Sequence, residues 1–387
     1  MRLDEPEIRA ALLHRDEEVR FTAVSWYSSS FSRDPSVMPV VIESARRYGP
    51  AASWRMMREA QWLVQTEGTL AELKAALEQR SSPADVREEN FRFVAALAVC
   101  RAPIELIAGQ FANIANLPWF PAVLRGPLED RWRLMHATWE QAAAELVKLA
   151  ERTFRYGRWN RIDCLRADAI LEALARHAPE RGPTVLVLLS RRNCRRLLAW
   201  VQPFVIRLAG RMRFSSAIPL LLDRLDCDNI DIRDEAELAL TQIGSEEVVE
   251  SIIERWPQAS RRFRESACEV LERSPSERAV AFAMQRLCDS AEDGYVRLLM
   301  GHVLLAQFCS DAVPLIRALL RKSDEEDYVC RLDLYYHLLA ACPVMRASFP
   351  GFRARYRKAL KARWGWKNVP ILADGYFEGP WRDLPRL

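Results

Sequence analysis

The sequence predicts an all-α protein built of helical pairs stacked side by side, and three observations carry that expectation. Glycine accounts for only 14 of 387 residues, and no stretch alternates valine, isoleucine or threonine as strands do. A two-helix unit recurs about every 32 residues, and a fixed period of that size marks repeat architectures. Within each unit the apolar residues fall at 3.6-residue spacing, the pattern of a helix with one buried face.

The clearest unit lies at 217–244. Its first helix carries Pro219 near the start, where a missing N–H does no harm, and its second closes on Gly244, a residue suited to a left-handed cap. Ile232, Ala236, Ala239, Leu240 and Ile243 form one stripe, with Asp234, Glu237 and Thr241 expected on the opposite face. Pairs at the start of second helices mark the register: Ile232-Arg233, Phe263-Arg264, Val296-Arg297 and Val329-Cys330, spaced 31, 33 and 33 residues. The N-terminal third repeats them at Val19-Arg20, Trp54-Arg55 and Val86-Arg87, spaced 35 and 32. The start Ile218-Pro219 returns as Val313-Pro314.

Leu12-Leu13 through Asp16-Glu17-Glu18-Val19-Arg20-Phe21-Thr22-Ala23, together with the 217–244 unit, resemble HEAT-like repeats of the α-solenoid class, including the shorter variety of phycobilisome-lyase-like proteins. The resemblance implies a HEAT-like α-solenoid of about 8–10 helix pairs whose second helices line a concave wall, with an irregular C-terminal cap. It also implies that a turn aspartate and an arginine early in the second helix bond between neighbouring repeats, as Asp226 with Arg233 and Asp16 with Arg20.

Four segments are expected: N-terminal repeats over 1–100, an irregular helical middle over 101–214, C-terminal repeats over 215–342, and a basic, aromatic cap or tail over 343–387. In the middle, Pro118, Pro121, Gly126 and Pro127 predict a loop or broken helix ahead of one long amphipathic stretch from Glu129 to Arg152. Tyr156-Gly157-Arg158 and the run from Pro179 to Pro183 predict further breaks. Prolines and glycines from Pro343 to Pro385 forbid one continuous helix there.

Composition excludes several classes. The 56 Lys+Arg against 52 Asp+Glu leave +4, too little for a polybasic chain, so anion binding must come from a local patch. Nine cysteines, an odd number without a C-x-x-C pair, imply neither a zinc knuckle nor a disulfide framework, and are expected to be buried thiols in a reducing cytosol. Cys194, flanked by Arg192, Arg195 and Arg196, is the candidate for a reactive one. The first six residues hold acids where a secretory signal needs an apolar core, and no apolar run approaches the roughly 18 residues of a membrane span. A cytoplasmic protein that meets no membrane is therefore expected. Phosphate-loop, dinucleotide, zincin and nucleophile-elbow motifs are missing, and His14, His136, His177, His302 and His337 have no partner at metal-ligand spacing. No cofactor, metal or catalytic residue is expected.

Charge patterning supplies the candidate binding residues. Between Arg181 and Leu222 no acid occurs, and Arg191, Arg192, Arg195, Arg196, Arg207, Arg211 and Arg213 fall there. Like charges at i,i+4 repel, so something negative must lie close: an external anion, or the acids of the next repeats. Residues 223–293 hold 18 acids against nine arginines, and Asp234, Glu237, Glu265 and Glu272 are expected to form an acidic surface. In the tail, Arg353, Arg357 and Lys361 interleave with Trp364 and Trp366, a combination suited to protein hot spots or to nucleic acid. The apolar helix around Leu298 and Leu305 needs cover, expected from Trp364, Trp366, Phe377 and Trp381.

These features point to a non-enzymatic scaffold or adaptor with a protein partner along the solenoid surface. A nucleic-acid-binding protein is the alternative. A DNA-glycosylase-like variant of it would draw on Trp159, Asn160, Arg161, Asp163 and Trp200, and the repeat type also admits a bilin-lyase reading with no pocket residue to name.

Overall fold

A computed structural model describes residues 3–79, 82–156, 161–190 and 197–321, with 334, 337, 338, 340–342, 344 and 345. Twenty α-helices and no β-strand element occur among the described residues. Helices α1 (Glu5–Ala11) and α2 (Glu17–Ser29) form the first pair, followed by α3 (Val37–Tyr48) with α4 (Trp54–Ala60) and α5 (Glu67–Glu78) with α6 (Val86–Arg101). Two short helices, α7 (Ile104–Ile107) and α8 (Phe111–Ala115), take the place of a first helix before α9 (Ala122–Leu134). The stack continues with α10 (Trp139–Tyr156) and α11 (Arg161–Ala175), then α12 (Ala178–Ser190) and α13 (Leu197–Arg211). Next come α14 (Ile218–Arg224) with α15 (Ile230–Ile243), α16 (Glu246–Arg255) with α17 (Arg261–Glu272), and α18 (Glu277–Cys288) with α19 (Gly294–Ala306), before α20 (Ala312–Arg321) opens a tenth pair.

Each second helix packs on the one before it and the one after it, from α2 through α19, whereas the first helices α14, α16 and α18 touch one another only lightly. The closer row is the inside of a curve, so the fold is an all-α solenoid bent toward its second helices. Pairing runs without interruption through 101–214, where the sequence period lapses.

Local chemistry explains the repeated residues. Side chains cap the second helices: Asp16 accepts from the Glu18 N–H, Asp85 from Glu88, Asn229 from Asp231, Ser260 from Phe263 and Asp293 from Tyr295, all at 2.9–3.1 Å. The early arginine reaches back to carbonyls at or just beyond the end of the first helix. Arg20 donates to the His14 and Arg15 carbonyls at 2.9 and 3.2 Å, Arg264 to Trp256 at 3.3 Å, and Arg297 to Leu287 at 3.0 Å. A guanidinium there satisfies orphan carbonyls and meets the negative end of the helix dipole. The expected bond between Asp226 and Arg233 is not formed, because Asn229 takes the cap and Asp226 accepts the Ser260 hydroxyl at 2.5 Å. Arg20 does cross to the next repeat, through the Ala52 carbonyl at 2.8 Å.

Three expectations for the middle are corrected. Pro118 and Pro121 do fall in a loop between α8 and α9, but α9 runs on through Gly126 and Pro127, whose ring removes the donor that the Val123 carbonyl would otherwise meet. The stretch 129–152 is two helices, split by a capping box in which Thr138 and Gln141 exchange backbone-to-side-chain bonds at 2.9 and 3.3 Å. Helix α12 passes through Pro183 and starts at Ala178, so the break falls before the prolines.

The stripe Ile232, Ala236, Ala239, Leu240 and Ile243 is buried, but so are Glu237 and Thr241. A second helix in this stack has neighbours on three sides, and α13 and α17 close over the face that amphipathicity alone assigns to water. Helices α13 and α15 approach so closely that a Cβ on Gly210 would lie 2.6 Å from the Ala239 Cα. Leu298 and Leu305 are buried, and Gly301 beside them abuts Leu334 and Ile316, so the described cover comes from α20 and from residues just before the tail. Trp364, Trp366, Phe377 and Trp381 lie outside the described residues.

The coil also brings distant parts of the chain together. The Leu3 N–H donates to the Phe308 carbonyl, and Arg213 Nη2 to the Phe31 carbonyl, each at 3.3 Å. Phe31, Arg213 and Phe308 follow α2, α13 and α19 at equivalent places and are the non-glycine residues of positive φ among those described, at 50°, 48° and 51°. Left-handed backbone costs such residues about 1–2 kcal/mol each, and all three sit at this seam.

Candidate functional site

The inner wall is stitched by polar side chains between successive second helices. Glu18 on α2 accepts from Arg55 on α4 at 2.5 Å; Arg101 on α6 donates to Gln61, just after α4, and lies 3.5 Å over the Trp62 ring. Asp130 on α9 accepts from Arg166 on α11 at 2.5 Å.

Next along the wall, Asp168 of α11 takes Arg211 at 2.6 Å and Arg207 at 3.5 Å, both from α13. Arg207 also forks onto Glu235 of α15, with Nε to Oε2 at 2.8 Å. Burial works to raise the Asp168 carboxyl, but the guanidinia of Arg211, Arg207 and Arg101 outweigh it and hold the group below the usual aspartate range. Of the two readings left open for these arginines, internal pairing holds for Arg207 and Arg211. Arg213 points instead to the seam. Arg191, Arg192, Arg195 and Arg196 lie outside the described residues, as do Arg353, Arg357, Lys361, Trp364 and Trp366.

One step further the charge reverses. Glu237 on α15 is buried against Ser266 on α17, while Glu269, Glu272 and Arg273 share the end of α17. Burial pushes the Glu237 carboxyl up to about 7, with the Glu269 charge adding to it against the Ser266 hydrogen bond. Burial and Glu269 push Glu272 up to about 8, opposed by Arg273. Asp234, at the open edge of α15, is raised by burial and by Asp231 and Glu235. Glu265 stands apart, paired with Arg261 at 2.9 Å. The expected acidic surface is therefore a partly enclosed patch of Asp234, Glu237, Glu269 and Glu272 around Arg273. Glu269 was readable at 32 residues after Glu237, close to the repeat spacing; Asp168 and Glu235 were not singled out, Asp168 because the middle carries no readable register.

The thiols and histidines complete the picture. Cys100, Cys268, Cys309 and Cys342 are buried as expected, but Cys227 is only half-buried and Cys288 is exposed, at the C-terminal end of α18. Burial pushes the Cys100 thiol up to about 12, and Cys194 lies outside the described residues. His302 and His337, separate in sequence, meet with Nδ1 atoms 2.6 Å apart. No group of three or more metal-ligating side chains occurs among the described residues. Nor, among them, is any helix long and apolar enough to cross a membrane. The glycosylase-type nominees Trp159 and Asn160 lie outside the described residues, and the side chains of Arg161, Asp163 and Trp200 do as well.

No protein-family model matches the sequence, and no curated protein matches it either.

Proposed function

We propose that the chain is a HEAT-like scaffold or adaptor, without catalysis of its own, that grips a protein partner along the inner wall through a basic segment of that partner. The observation that carries the reading is the α15–α17 patch, where Glu237 and Glu272 are held near their neutral forms by burial and by Glu269. Arg273, the cation inside the patch, is bonded to Glu269 at 2.8 Å; a lysine or arginine side chain entering the patch would displace the proton of Glu237 or Glu272 and make a charge-assisted hydrogen bond. Solenoid walls offer extended surface to a chain segment and few enclosed pockets to a small substrate. The nucleic-acid alternative loses support where Arg207 and Arg211 are occupied by Asp168 and Glu235.

Calorimetric titration of the full chain with basic, neutral and acidic peptides and with duplex DNA tests this. The basic peptide is expected to bind with release of protons at pH 7.5, and Glu237→Gln with Glu272→Gln should weaken it about tenfold. Equal affinity for all peptides overturns the reading, and salt-steep DNA binding favours the alternative.

A further inference from the structure

The corner between α9 and α10 holds an open groove of about 410 Å³, within the size range of small-molecule sites. Gln141, Glu145 and Lys148 line it from α10 at spacings of four and three, one face of that helix. Arg133 and His136 line it from the other side, and Leu134, Ala137 and Ala144 supply its apolar surface. The connection between the helices is held in shape by the following repeat. Arg176 Nη2 donates to the Leu134 carbonyl and His177 Nε2 to the Ala137 carbonyl, each at 3.1 Å.

The groove has more donors than acceptors. Glu145 is its one carboxylate, and two cations share it: Oε1 accepts from Lys148 Nζ at 3.0 Å and Oε2 from Arg133 Nη2 at 3.4 Å. The Lys148 hydrogen bond, with the Arg133 charge added, outweighs burial and holds the Glu145 carboxyl below the usual glutamate range. Arg133 reaches Asp130 through the same Nη2, at 3.2 Å, and Asp130 is itself taken by Arg166 at 2.5 Å. Gln141 uses its amide oxygen on the Thr138 N–H. Arg133 Nε and Nη1, the remaining Lys148 protons and the Gln141 amide N–H groups thus meet no acceptor among the described residues.

We infer that this groove binds a small organic acid, whose carboxylate is taken by the remaining donors of Arg133 and Lys148 and whose apolar body lies against Leu134, Ala137 and Ala144. The way the two cations embrace Glu145 shows that their spacing suits the two oxygens of a carboxylate. An inorganic anion would leave the apolar surface uncovered, and a neutral molecule would leave the donors unmet. The inference is independent of the α15–α17 reading.

A ligand-observed NMR titration of the full chain with benzoate, benzamide and acetate tests it. Benzoate is expected to bind about tenfold more tightly than benzamide, which lacks the charge, and than acetate, which lacks the body. Lys148→Met should weaken benzoate binding about tenfold without lowering the melting temperature, because the ammonium is exposed and its pair with Glu145 contributes little to stability. Glu145→Gln removes the resident carboxylate that competes for the same donors, so benzoate binding should tighten. Benzamide or acetate matching benzoate, no benzoate binding at low millimolar concentration, or the parent affinity in both variants overturns the inference.

Discussion

Arg131 and Glu172 form a two-pronged pair between α9 and α11, with Nε and Nη2 donating to Oε2 and Oε1, each at 2.7 Å. The same guanidinium donates to the Cys100 and Ala102 carbonyls at the end of α6, so one side chain ties three consecutive second helices. Arg131→Met keeps an unbranched apolar stem and removes every donor, leaving one carboxylate and two carbonyls unmet. Urea denaturation is expected to show a loss of about 3–5 kcal/mol, and Arg131→Lys to recover only part of it, because an ammonium cannot fork. An unchanged midpoint for Arg131→Met would remove the tie.

Gly210 and Gly126 should respond to alanine in opposite directions. The Gly210 Cβ would press on the Ala239 backbone, so Gly210→Ala forces α13 and α15 apart and is expected to cost about 1–3 kcal/mol. At Gly126, inside α9, a Cβ meets nothing within 4 Å, and alanine is expected to stabilise by about 0.5–1 kcal/mol. Melting curves of the two variants decide; a destabilised Gly126→Ala would mean that α9 is not helical there.

Stability should fall as pH rises toward 8. Glu237 and Glu272 titrate at about 7 and about 8 in the folded chain and near the ordinary glutamate value of about 4.3 when unfolded. Across that window the folded state keeps protons that the unfolded state has released, so the unfolding free energy declines with pH and levels off above the folded values. The double variant Glu237→Gln, Glu272→Gln is expected to melt higher than the parent at pH 8.5 and to converge with it only below about pH 4, where the unfolded carboxyls are protonated too. Parallel profiles would show that neither carboxyl holds a proton.

Leu334 is fully buried against Gly301 of α19. Leu334→Asp should uncover the apolar face around Leu298 and Leu305, seen as dye binding with the helical circular dichroism retained. A truncation after 345 should leave that face covered, and dye binding by the truncated chain would return the role to the tail.

Much of the solenoid was legible because its rules are local. Proline near the start of α14, Gly244 after α15 and the side-chain caps of the second helices all act within one repeat, and the sequence carries them openly. The middle was harder to read, since Thr138 and Gln141 cap α10 without any proline or glycine to announce the break. The wall was legible only in part. Helical periodicity places Glu237 on the water side, yet its burial is decided by Ser266 on another repeat, and the partners of Arg207 lie on two different helices. Contacts such as Arg213 with Phe31 depend on the summed curvature of many pairs, which no window of sequence contains.

The seam changes how such a molecule comes apart. An open array of repeats frays from its outermost unit inward, each step costing only one interface. Here Leu3 and Phe31 are anchored to Phe308 and Arg213, so the first unit cannot peel away without also breaking from units far along the chain. Unfolding is thereby gathered into one concerted event, and folding cannot finish until the long arc between them has formed.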